Sequence, residues 1–390
     1  MSLKKLFAVI VTTTLVATSL FAGGYQINEH GARAVGMGGA FVARATDPSA
    51  IFFNAAGLAY QKGINFSLGT TLIFPSTEFT SSAPLPTTTT SMVSQTFYPV
   101  NLYGTYAINE KLVVGLGVFS LYGLGSEWPA TWIGKSLTVK TDIQTFYITP
   151  SVGYLVNDKL AVGLGLSYVI AKAKLNNSNF ALDGSGNSFT FNVGAIYKVM
   201  PNLSVGASYR HVANVDFEGD VNWPLAPSRN GTGKTTLPMA GTLQVGAAYV
   251  VNPKLTVECD LQYTLWSDYK SLDLTLPVLG LVSSRKEWIN TPALRLGGEY
   301  ALNEKITLRA GYIRDQTPQP DHTVEPMLPD ANRNDISLGG GYKINPKLTV
   351  DLAYMIVLFE DRTTTTNINH FNGTYKSSAN LVSLSFGYSL

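Results

Sequence analysis

One seven-residue pattern recurs six times along the chain, and it leaves few folds open. It starts at Tyr106, Tyr154, Tyr197, Tyr249, Tyr300 and Tyr342 and reads, at its first occurrence, Tyr-Ala-Ile-Asn-Glu-Lys-Leu. Asn, Asp and Pro at its centre suit a tight turn, because they bond their own backbone or fix φ. On either side the residues alternate with period 2, as strands require. In the run from Leu255, the residues Leu255, Val257, Cys259, Leu261, Tyr263 and Leu265 share one face, and Thr256, Glu258, Asp260, Gln262 and Thr264 share the other. Leu160 to Ile170 and Leu348 to Ile356 alternate in the same way. One face suits lipid and the other a wet lumen. A tyrosine before each turn falls where an amphipathic ring sits at a membrane-water interface.

Six turns join twelve strands, and runs at about 63 to 74 and 379 to 390 bring the count to fourteen. In the last run Val382, Leu384, Phe386, Tyr388 and Leu390 face one way, and pairing with the first run would close the sheet. Closure leaves no unpaired backbone in lipid. The expected fold is all-β: a 14-stranded antiparallel transmembrane β-barrel. Short turns alternate with longer outer loops near 75 to 95, 121 to 142, 174 to 187, 217 to 237, 267 to 290, 314 to 334 and 359 to 377. That asymmetry separates such a barrel from a soluble sandwich.

Composition agrees. The chain is 45% hydrophobic and 14% charged, yet after the N-terminus no run approaches the roughly 20 apolar residues of a membrane helix. A net charge of +2, with scattered Lys and Arg, offers no nucleic-acid stripe. Cys259 is the single cysteine, which excludes a disulfide framework and cysteine-based zinc sites. No cofactor or metal is implied. Residues 1–22 read as a cleavable export signal, with Lys4 and Lys5 ahead of an apolar stretch and a cut after Ala22. Together these lead us to expect the outer membrane of a diderm bacterium as the location, with its lipid and lipopolysaccharide as partners and a monomer as the expected state.

Residues 23–62 do not alternate. Asp47-Pro48 reads as a helix N-cap followed by Pro at the first helical position, and Ile51, Phe52 and Phe53 need burial. A compact, partly helical segment ahead of a barrel at 63–390 is expected inside it, as a hatch. Here the sequence resembles the FadL-type fatty-acid and hydrocarbon transporters. The likeness spans the mature chain: Gly24 to Glu29, Gly57-Leu58, Tyr122 to Pro129, Asp315 to Pro318 with Pro329-Asp330 and Arg333, and Asp361-Arg362. Where the family hatch carries Asn-Pro-Ala-Gly, this chain has Asn54-Ala55-Ala56-Gly57. The resemblance implies passive uptake of hydrophobic small molecules, with capture at the outer loops, hatch movement and sideways exit beside a kinked third strand. Gly115 and Gly117 in that strand would permit a bulge, as would Gly163 and Gly165 in the fifth. A general diffusion porin for small polar solutes is the competing reading.

Candidate ligand contacts follow from position. Phe52 and Phe53 lie in the hatch, Trp128 and Trp132 in the second outer loop, and Leu276 and Leu279 in an apolar fifth loop. That loop is either a capture surface or the tops of two strands. Strand parity turns Arg210, Glu258, Asp260, Arg295, Glu299, Arg309 and Asp351 into the lumen. Mixed charges there suit ion pairs to hatch residues Glu29, Arg33, Arg44 and Asp47. Arg210 and Arg295, near mid-strand, are the candidates to receive a ligand carboxylate. The four histidines are dispersed and no Ser-His-acid set repeats a known spacing, so no enzyme is expected.

Overall fold

The computed structural model describes residues 23–390; the export signal expected at 1–22 lies outside the described residues. Each tyrosine-led motif is a turn, and five of them are built alike. The Asn Oδ1 accepts the N–H groups two and three residues on, at 2.9 to 3.0 Å, at Asn109, Asn157, Asn252, Asn303 and Asn345. These bonds replace ladder bonds the chain loses on reversing.

The turns and outer loops connect fourteen staves. They are β1 (Ile64–Ser81), β2 (Val100–Ala107), β3 (Leu112–Phe119), β4 (Lys140–Leu155), β5 (Leu160–Asn176), β6 (Ala181–Met200) and β7 (Leu203–Arg210). The second half comprises β8 (Gly241–Asn252), β9 (Leu255–Leu265), β10 (Thr291–Ala301), β11 (Ile306–Asp315), β12 (Arg333–Asn345), β13 (Leu348–Phe359) and β14 (Gly373–Ser389). All neighbours pair antiparallel, and β1 pairs with β14 from Asn65↔Ser389 to Ser81↔Gly373, which closes the barrel. The alternation is as read: Cys259, Leu261 and Tyr263 are exposed on the outer face, whereas Glu258, Asp260 and Gln262 are buried inside. Leu352 likewise faces out, at 55% exposure. Five of the six turn tyrosines are exposed, and Tyr249 is half-buried.

Several loops are shorter than the sequence suggests, because the staves continue above the apolar band. A span needs about 9 to 11 residues, but β5 has 17 and β6 has 20, which reduces the third outer loop to 177–180. Segments Ala213–Asn222 and Gly231–Met239 extend β7 and β8 in the same manner, and Ser271–Leu276 pairs with Gly280–Arg285 as a hairpin above β9 and β10.

The segment before β1 fills the lumen. It holds two one-turn helices, α1 (Ala32–Val35) and α2 (Ala50–Phe53), and a 3-10 turn at Ala55–Tyr60. Asp47 caps the turn leading into α2, its Oδ1 accepting the Ser49 N–H at 3.0 Å, and the regular helix begins at Ala50. The inward glycines have a different purpose from the bulges expected of them. A Cβ at Gly163 would stand 2.2 Å from the Ala55 carbonyl carbon, and one at Gly311 would stand 2.0 Å from the Gly38 nitrogen. Wall and hatch backbones meet there with no room for a side chain.

Candidate functional site

The third stave gives the site its shape. β3 pairs with β2 only up to Asn101↔Phe119. Beyond Phe119 the chain turns inward and bonds to the hatch instead: Ile27 N–H donates to the Leu121 carbonyl at 2.8 Å, and Gly123 N–H donates to the Tyr25 carbonyl at 3.1 Å. It rejoins the wall at Gly123–Glu127, alongside β4. The kink therefore lies at Ser120–Tyr122. Gly115 and Gly117 are needed for another contact, since a Cβ on either would come within 2.9 Å of the Ile51 side chain.

Two cavities flank this break. One, of about 300 Å³, is lined by Ile27 of the hatch together with Tyr98, Val100 and Phe146, which are exposed on the outer face. The other is an apolar cleft of about 80 Å³ beneath the outer loops, lined by Tyr25, Ile143, Leu237, Leu272, Leu274 and Trp288 among others. Leu124 lines both. Its φ of 77° is left-handed, an uncommon state for a branched residue and a cost the surrounding packing must offset.

Below the cleft is a box of aromatic rings. Tyr25 lies 4.8 Å from Trp266, 5.7 Å from Tyr122 and 5.8 Å from Trp288 between ring centroids, and its hydroxyl donates to the Pro238 carbonyl at 2.8 Å. One continuous buried apolar cluster runs from Leu272, Leu274 and Leu276 through these rings to Phe52 and Phe53. Phe52 packs on Phe119 at 5.4 Å and on Phe53 at 4.7 Å.

Arg210 sits at the foot of this cluster, 5% exposed. Its Nη2 donates to the Phe52 carbonyl at 2.8 Å, its guanidinium stands 5.7 Å from the Phe52 and Phe119 rings, and its Nη1 has no hydrogen-bond partner. No carboxylate lies within 4.0 Å of it among the described residues, and the polar groups around it include the neutral phenols of Tyr103, Tyr122 and Tyr147. A buried guanidinium without a counter-ion is costly. Arg295 differs: it donates to the Gly38 carbonyl at 3.1 Å and lies in the field of Asp260 and Asp335.

The structure thus brings Phe52, Phe53, Arg210 and Leu276 into one cluster and leaves the other candidates outside it. Leu279 is 47% exposed near the hairpin tip. Trp128 and Trp132 stack at 4.3 Å in a separate loop core with Phe79 and Phe371, and their indole N–H groups are satisfied by the carbonyls of Pro326 and Thr138. Arg295 belongs with the hatch anchors. Of the hatch motif, Asn54 is fully buried, its amide donating to the carbonyls of Val42, Ala195 and Ala207 at 2.9 to 3.2 Å while Oδ1 accepts the Ala56 N–H. Ala55 and Ala56 pack against Gly163, and Gly57 lies so close to Ala45 that a Cβ would come 2.2 Å from its carbonyl oxygen. Sequence reading missed Tyr25, Trp266 and Trp288. Their signal was position: Trp266 directly follows β9, and Trp288 shortly precedes β10.

Comparison with known proteins agrees with this architecture. The chain is 25% identical to a long-chain fatty acid transport protein of Salmonella typhi over 401 residues, covering 90% of this chain and 92% of the relative. It is 27% identical to outer membrane protein P1 of Haemophilus influenzae over 354 residues, covering 77% and 76%. Among solved structures, a Pseudomonas aeruginosa FadL homologue superposes with a TM-score of 0.84 at 21% identity, covering 94% of this chain and all of that one. The toluene transporter TodX of Pseudomonas putida gives 0.73 at 17% identity, covering 95% and 99%. Residues 13–390 match the family model described as outer membrane protein transport protein (OMPP1/FadL/TodX), and the chain belongs to that family: an outer-membrane transport protein, not an enzyme.

Proposed function

We propose that this protein carries hydrophobic small molecules, long-chain fatty acids or aromatic hydrocarbons, passively across the outer membrane. In this reading the ligand enters the apolar cleft beneath the hairpin, displaces the start of the hatch, and leaves sideways through the gap beside β3. The observation that carries it is the continuous apolar cluster from the outer hairpin to the hatch, bordered by a cavity lined in part by residues exposed on the outer face. A mostly apolar pocket with few polar groups is how such ligands are held. Desolvation supplies the affinity at about 0.8 kcal/mol per buried CH₂, so capture needs no charge pair.

Phe52, Phe53 and Leu276 provide apolar surface on this route, and Leu279 offers an exposed apolar contact near the mouth. Arg210 is the polar selector for ligands bearing a carboxylate, since its free Nη1 suits a second, charge-assisted bond. Trp128 and Trp132 fix the loop roof above, and Arg295 holds the hatch. A lumen filled by buried hatch residues supports this reading over a general diffusion porin. The named relatives, fatty-acid and toluene transporters, support the ligand class.

The test is uptake of a long-chain fatty acid and of toluene by cells carrying wild type or Arg210→Ala. Both compounds should enter faster than in cells lacking the protein, and the substitution should depress fatty-acid uptake alone. Equal entry with and without the protein contradicts the reading.

A further inference from the structure

Beneath the sixth outer loop, four carboxylates are buried around the Arg333 guanidinium. Asp315, Asp330, Asp335 and Glu29 are each at most 8% exposed. Arg333 reaches Asp315 at 2.8 Å and Asp335 at 3.4 Å. Asp330 has no ion-pair partner among the described residues; it accepts the Thr317 hydroxyl at 2.7 Å and the Gly24 N–H at 3.1 Å. Buried carboxylates carry a large desolvation penalty unless cations meet them. Arg295 adds its field at Asp335, but neither Asp330 nor Glu29 is ion-paired among the described residues, and burial pushes the Asp330 carboxyl up to about 6.

The backbone entering this cluster is the start of the hatch. Gly23 is buried, and a Cβ on it would stand 2.8 Å from the Asp315 Oδ2. Gly24 has φ 68°, and a Cβ there would meet Trp266 and Trp288 at 2.8 Å each. The site admits main chain and no side chain at either residue. In the sequence, Gly23 is also the residue that follows the expected export cut.

We propose that the α-ammonium group released at Gly23 is the missing cation of this cluster, held by Asp315 and Asp330. The step that makes it is hydrolysis by an export peptidase. Water adds across the Ala22–Gly23 peptide bond; the Ala22 carbonyl carbon keeps the oxygen as a carboxylate, and the Gly23 nitrogen takes both protons to become an ammonium. An amide nitrogen at the same place brings a hydrogen-bond donor but no charge. Processing thus completes the charge balance of the hatch docking site, and the ammonium holds the N-terminus against the aromatic box.

The experiment is N-terminal sequencing of protein purified from outer membranes, followed by titration of its α-amine through reductive methylation. The chain should begin Gly-Gly-Tyr. Its α-amine should titrate at least about one unit above the ordinary 7.7 to 8.0, equivalent to about four- to sixfold slower labelling at pH 8 than for a free terminus. In the doubly substituted Asp315→Asn, Asp330→Asn protein it should return to the ordinary range. A mature terminus elsewhere, or a wild-type α-amine titrating in the ordinary range, overturns the proposal. The wild-type titration decides the matter alone if the double variant fails to assemble.

Discussion

Toward β9 to β13 the hatch is held by charge, and toward β2 to β6 it is held by fit. On the first flank Glu299 receives Arg33 at 2.9 Å, Arg44 at 3.0 Å and Arg309 at 2.7 Å, and Arg309 also reaches Asp351 at 2.7 Å. Asp260 and Glu258 accept the backbone N–H groups of Phe41, Val42 and Ala43 at 2.7 to 3.0 Å. On the second flank Ile51 packs over Gly115 and Gly117, Phe52 packs on Phe119, and the side-chain polar ties are uncharged: Asn54 donates to the Ala195 carbonyl at 3.1 Å and the Thr105 hydroxyl donates to Gln61 Oε1 at 2.7 Å. Charged hydrogen bonds hold a group in one geometry, whereas burial of apolar surface is non-directional. The apolar flank is the one beside the break in β3. A hatch pinned on one side and packed on the other is suited to swing at the packed side.

The largest expected effect comes from removing the charged anchor. Glu299→Ala leaves three guanidiniums short of a partner and should destabilise docking by about 3 to 5 kcal/mol. Planar-bilayer recordings should show conductance rising from near zero to steady open events. A silent Glu299→Ala channel would mean the charged flank is not what holds the hatch.

Ile51→Ala acts on the other flank, at a cost of about 2 to 5 kcal/mol for the truncated side chain. Because the charged anchor remains, brief flickering is expected rather than steady current, with uptake of toluene retained. Steady conductance equal to that of Glu299→Ala would erase the distinction between the flanks.

The smallest effect is one of pH. With Gly23 still in peptide linkage, burial raises the Asp330 carboxyl to about 6 from 3.8, against the pull of the Thr317 hydroxyl, Arg333 and the Gly24 N–H, and with Asp315 adding to the rise. The folded state then keeps a proton that the unfolded chain has lost, so docking is favoured below pH 4 and weakens as the pH rises through 6. A free ammonium alongside should remove that dependence. Tryptophan fluorescence, reporting Trp266 and Trp288 over Gly24, should change between pH 4 and 7 in N-terminally acetylated protein and stay flat in processed protein. Identical profiles would separate Asp330 from the N-terminus.

What was legible in the sequence was whatever a two-sided environment imposes locally. Period-2 alternation fixed the face of Cys259 and Asp260, and parity sent Glu258 and Glu299 toward partners in the hatch, while Arg309 pairs with Glu299 and Asp351 of the wall. Loop limits were less legible, because nothing local marks where β5 and β6 leave the membrane while their pairing continues. The glycines were ambiguous for a related reason: Gly163 looks the same whether it bends a strand or admits the backbone of Ala55, and only the folded chain brings the two together. The aromatic box escaped notice because Tyr25, Trp266 and Trp288 come from distant segments. Arg210 and Arg295 were equivalent by parity, and their surroundings, tyrosines for one and carboxylates for the other, separate them.

The central claim, that the packed flank of the hatch must move for a ligand to pass, can be tested by locking it. Ile51→Cys with Gly117→Cys, in a Cys259→Ser background, places two thiols where the Ile51 side chain and the wall of β3 are in contact, close enough for a disulfide. In cells carrying this pair, uptake of a labelled long-chain fatty acid should stop on oxidation and return on reduction with dithiothreitol. Uptake that continues unchanged while the disulfide is shown to be formed would contradict the account.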